Sequence, residues 1–136
     1  MLFRSYLAWP TPNPSFAKGL GYHTFLQKTG PDKEFESGSY GCVRNNGYKF
    51  HEGIDLSPVQ TALNGRAEDS VFSAMSGIVR HINDKPSDSA FGKYVVLEHT
   101  DFNPILYSLY GHLDSIDPMI EEDRFVNTAQ IGRAHV

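Results

Sequence analysis

Cysteine is nearly absent from this chain. Cys42 is the only one in 136 residues, which excludes an internal disulfide framework and suggests a small, buried free thiol. No His/Asn signature accompanies the GCVRNNG run around it, so a cysteine hydrolase is not indicated. Long apolar runs are missing too, and no segment approaches the length of a membrane span. The first residues, MLFRSYLAWPTPNPSF, lack the apolar stretch of a signal peptide, as expected of a cytoplasmic chain or of a processed or incomplete one. There is no excess of positive charge. Twelve Lys and Arg against sixteen Asp and Glu give a net charge of −4. No basic cluster or interleaved aromatic stripe is present, so a nucleic-acid partner is not expected. A sustained helical stripe, a fixed-period repeat and low-complexity sequence are also lacking.

What remains is a globular composition, 40% apolar and 12% aromatic, in a chain long enough for one domain with a real core. Three prolines in Trp9–Ser15 (WPTPNPS) exclude helix and central strand and predict an extended arm. Residues 19–48 are rich in Gly, Tyr and Phe, with turn signals at Gly30-Pro31 and Asn46-Gly47. We therefore read 1–48 as an irregular arm with loops packed on a β domain spanning 49–136. Within that domain Val71–Ile82 is β-rich, with Gly77 marking a bend or bulge. Asn83–Gly92 is a polar loop. Lys93–His99 and Ile105–Leu113 are strands, Asp114–Arg124 is an acidic linker, and Val126–Ile131 is a last short strand. Alternation puts Ile105, Tyr107 and Leu109 on one face of the second long strand and Leu106, Ser108, Tyr110 and His112 on the other. Val79, Ile82, Val95, Leu97, Leu106 and Leu109 are the expected core. The fold class is all-β and antiparallel.

Two short motifs carry the chemistry. HEGID supplies His51 and Asp55, four residues apart, and a turn at Gly53 can return both side chains to one ion. Zinc accepts imidazole nitrogen and carboxylate oxygen alike. A surface histidine beside a turn aspartate is the plain alternative. LYGHL places His112 at a strand end, where it is either a half-buried polar residue or a reactive one. His23, His81 and His99 read as structural or surface residues, and Glu121, Glu122 and Asp123 as a solvated turn. His135 stands one residue before the chain stops at Val136.

The succession HEGIDLSP, VFSAMSGIVRHI, FGKYVVLEH, YSLYGHL and a short V…IG segment resembles the lysostaphin-like (LytM-type) zinc endopeptidases, from about Phe50 to Gly132. The resemblance implies an antiparallel domain of the duplicated hybrid motif type, with its site in a groove on one face. It implies that His51 and Asp55 bind zinc and that His112 assists catalysis without binding it. The family's terminal His-x-His motif supplies a catalytic histidine, matched by His135, and then the third zinc ligand. IGRAHV runs into His135 through a shortened turn and ends before the position of that ligand. Zn²⁺ is therefore expected to bind weakly or not at all. The implied activity is hydrolysis of peptide cross-links in bacterial peptidoglycan, at the cell envelope or outside the cell. A non-catalytic module of the same fold, binding peptidoglycan peptide or a partner enzyme, is the second expectation. The sequence carries no sign of oligomeric state.

Overall fold

The computed structural model describes residues 7–30, 34–128 and 130–134. Among them the secondary structure is β-strand with three short 3₁₀ turns, and there is no α-helix. The all-β antiparallel expectation is met. No helix among the described residues is long and apolar enough to cross a membrane. Two compact units form. Asn13–Val59 is the smaller, and the other described residues make the larger.

The larger unit is a six-stranded antiparallel sheet in the order β3-β8-β6-β5-β4-β7. Its strands are β3 (Ser70–Phe72), β4 (Gly77–Asn83), β5 (Lys93–His99), β6 (Leu106–Ile116), β7 (Phe125–Val126) and β8 (Gln130–Ala134). β5 occupies the expected bounds because KYVVLEH is β-branched and alternates cleanly. Val95, Leu97 and His99 point inward and are 0%, 0% and 1% exposed. Val71, Val79, Tyr110, Leu113, Ile120, Val126 and Ile131 complete the buried cluster with Val95 and Leu97. The proline-bearing arm runs beside β3: the Ala8 N–H donates to the Ala74 carbonyl, and the Phe72 N–H donates to the Pro10 carbonyl.

Three expectations need correction here. Val71–Ile82 is two strands rather than one bent strand. Ser73–Ser76 separates β3, which pairs with β8, from β4, which pairs with β5 and β7. Gly77 opens β4 because a Cβ there would stand 2.7 Å from the Glu98 carbonyl and 2.8 Å from His99 Nδ1. Leu106 and Leu109 are 41% and 44% exposed and lie outside the core. Leu109 shares the outward face of β6 with Tyr107, while Leu106 is the first residue of the strand. Finally, alternation does not run through His112. Lys93 pairs with Leu113 and Val95 with Tyr110, so Gly111 and His112 together oppose Tyr94 alone. This β-bulge lets both Tyr110 and Leu113 enter the core.

His99 is a buried histidine with both ring nitrogens engaged. Nδ1–H donates to the Ser76 carbonyl at 2.8 Å, and Nε2 lies 2.8 Å from Ser108 Oγ. Ser108 Oγ is 3.0 Å from the Tyr110 hydroxyl, which accepts the Ala74 N–H at 2.7 Å. The network satisfies polar groups inside the sheet. The Glu121–Asp123 turn is exposed, as expected; it engages Arg124 and Arg80 in surface ion pairs, and Glu122 lies 3.5 Å from His81 Nδ1.

The smaller unit contains a two-stranded ribbon, β1 (Gly41–Arg44) and β2 (Lys49–His51). Asn45, Asn46 and Gly47 join the strands with φ of 52°, 54° and 86°, which explains the Asn-Asn-Gly sequence. The ribbon has two unlike faces. Cys42 pairs with Phe50, and Phe50 meets Tyr40 edge-on at 5.2 Å on a solvent-facing side. Cys42 is therefore exposed, not buried as its residue type suggested. The other face carries His51.

Candidate metal centre

The site in the smaller unit is organised by one turn of backbone. The 3₁₀ turn Phe35–Gly38 is stapled by its own serines. Ser37 Oγ donates to the Glu34 carbonyl at 2.6 Å, and Ser39 Oγ donates to the Glu36 carbonyl at 2.7 Å. The Tyr22 hydroxyl donates to Glu36 at 2.6 Å, which raises the phenol pKa and lowers that of the carboxyl.

Three consecutive carbonyls of this turn each receive one site residue. Ser37 O accepts Arg44 Nε–H at 3.1 Å. Gly38 O accepts the Asp55 N–H at 2.7 Å. Ser39 O accepts His51 Nδ1–H at 2.7 Å. The Asp55 carbonyl in turn accepts the Gln27 N–H at 2.8 Å, and Leu26 and Leu56 form a β-bridge. Segments 25–29, 37–39 and 55–57 thus meet around Gly38. A Cβ on Gly38 would stand 2.2 Å from the Gln27 carbonyl oxygen. Gly53, expected to permit the return turn, has open space around it and no left-handed φ. The return of Asp55 to His51 rests instead on the Gly38 carbonyl.

This geometry sets the chemistry of His51. A carbonyl only accepts, so Nδ1 carries a proton and Nε2 is the ring nitrogen turned toward Asp55. Nε2 lies 3.4 Å from Asp55 Oδ1, with the two side chains 14% and 24% exposed. That separation is long for a hydrogen bond. It matches two vertices of a tetrahedral zinc site, about 3.3 Å apart for bonds of roughly 2.0–2.1 Å. The pair therefore fits a metal as two of its donors, with a backbone carbonyl fixing the histidine as zinc-site histidines require. Asp55 Oδ2 points elsewhere, accepting Thr29 Oγ1–H at 2.7 Å and Arg44 Nη2–H.

The other expected site residues lie apart in the chain. His112 belongs to the larger unit, is exposed, and adopts φ 53° within the β6 bulge. Its N–H donates to the Phe91 carbonyl at 2.7 Å. A left-handed φ is costly for a residue with a Cβ and recurs at functional positions. His135 lies outside the described residues. Among the described residues, no group of three or more His, Cys, Asp or Glu converges on one metal position. Sequence reading did not find Arg44, Thr29 or Gly38. Arg44 looks like any strand-end cation, and Gly38 is one of twelve glycines. Only the three-dimensional approach of Gln27 distinguishes the latter.

No protein-family profile, curated protein or solved structure matches this chain.

Proposed function

We propose that the chain is a zinc-endopeptidase-like domain directed at peptide cross-links of bacterial peptidoglycan. His51 and Asp55 are its metal donors. The observation that carries this reading is the His51–Asp55 pair: with Nδ1 held from behind by the Ser39 carbonyl, Nε2 stands 3.4 Å from a carboxylate oxygen. The likeness of HEGID…LYGHL to lysostaphin-like peptidases supports it and supplies the substrate class. A zinc ion held there would supply Lewis acidity, activating water and polarising the scissile carbonyl. Ser39 keeps the His51 proton on Nδ1, so Nε2 remains a donor. Asp55 offers one oxygen and the negative charge. By resemblance, His112 is a proton-handling residue of the proposal. His135 is the second histidine of that role by resemblance alone. With two donors assigned, zinc binding is weak and turnover slow.

The second reading is a non-catalytic module of the same fold that binds peptidoglycan peptide. The engagement of Asp55 Oδ2 by Thr29 and Arg44, as in a purely structural carboxylate, favours it. Incubation of the chain with purified cell-wall sacculi and excess zinc separates the two. Slow release of primary amines is expected, blocked by a chelator and reduced at least about tenfold by His51→Ala. Sedimentation with sacculi and no amine release would move the function to binding. Absence of both amine release and sedimentation would end both readings.

A further inference from the structure

Ser37 is 1% exposed, and it anchors both groups that touch Asp55 Oδ2. Its carbonyl accepts Arg44 Nε–H, and its hydroxyl accepts the Thr29 N–H at 2.8 Å. Arg44 Nη2 and Thr29 Oγ1 then converge on the same carboxylate oxygen. Oδ1 is left beside His51 Nε2.

We propose that Arg44 is a positioning residue that commits Asp55 to bind a divalent cation through a single oxygen. The inference rests on the zinc reading above and adds to it the residue that sets how the carboxylate binds. A carboxylate with both oxygens free can rotate or chelate through both. Chelation would consume a coordination position that hydrolysis needs open. Arg44 prevents this with geometry as well as charge. Its planar fork spans from the Ser37 carbonyl to Oδ2, with two N–H groups pointing in fixed directions. A lysine ammonium keeps the charge but has no fork. The positive charge also opposes a cation, so removing it would mix two effects. Arg44→Lys isolates the geometry.

The test is a titration of the full chain with zinc alone and, in parallel, with cobalt(II), for wild type and Arg44→Lys. The expected result is a zinc affinity in Arg44→Lys no lower than that of the wild type, because the freed second oxygen adds a bond to the ion, together with a change of coordination read by cobalt. The cobalt visible absorption should also weaken as the carboxylate chelates and the coordination number rises. Far-ultraviolet circular dichroism and the thermal midpoint report folding. If Arg44→Lys does not fold, Thr29→Val removes the other contact to Oδ2 and is expected to weaken the cobalt absorption in the same direction. A lower zinc affinity or an unchanged cobalt spectrum in a folded variant would overturn the role of Arg44 and leave the zinc reading standing. Absence of zinc and cobalt binding by the wild type would overturn the zinc reading and this inference with it.

Discussion

Gly38→Ala is expected to abolish the metal binding proposed for His51 and Asp55 and to loosen the unit that carries them. The added methyl would sit 2.2 Å from the Gln27 carbonyl oxygen and 3.2 Å from the Gln27 nitrogen, both backbone atoms. No side-chain rotation relieves this, so the 37–39 turn or the 25–29 segment must shift. Overpacking of this kind costs about 1–3 kcal/mol. The functional loss is larger, because the same turn presents the three carbonyls that receive Arg44, Asp55 and His51. Moving it by about 1 Å turns Nδ1 of His51 away from its acceptor and ends the donor spacing. Isothermal titration with zinc checks this. Wild-type-like binding by Gly38→Ala would show that the turn is not what builds the site.

Leu97→Ala gives the largest stability loss in the sheet. Leu97 lies on β5 between β4 and β6, facing Val79 across one strand pair and Ser108 across the other. It is fully buried. Truncation loses transfer free energy and leaves a cavity in a sheet held by ladder hydrogen bonds on both sides. The expected cost is about 2–5 kcal/mol, lowering the urea midpoint with an unchanged m-value. The same change at Leu109, 44% exposed, is expected to cost under about 1 kcal/mol. Equal losses at the two positions would mean that the inward and outward faces are misassigned.

The contrast between Leu97 and Leu109 shows how far the sequence carries. KYVVLEH declares its strand, its bounds and its buried face, because period-two alternation is a local property of the pleated chain. Leu106 and Leu109 have the same residue type and pattern, yet which face of a sheet is covered depends on what packs against it. The Gly111–His112 bulge is likewise unreadable locally, since the extra residue is defined only by pairing with β5. The split of Val71–Ile82 follows from different partners for its two halves. The approach of His51 to Asp55 was legible from their spacing. Arg44, Thr29 and Gly38 were not, because their roles come from segments far apart in sequence that meet at one turn. Cys42 misled because its type favours burial, whereas its place on the open face of a two-stranded ribbon does not.

The central claim is that His51 and Asp55 together present a metal site. Ring-nitrogen NMR of the ¹⁵N-labelled chain during zinc addition tests it most directly. The account predicts that the metal-free His51 ring is the Nδ1–H tautomer, that zinc moves the Nε2 resonance while Nδ1 stays protonated, and that Asp55→Ala abolishes the shift. An Nε2–H tautomer in the metal-free chain, or a His51 ring indifferent to zinc, would contradict it.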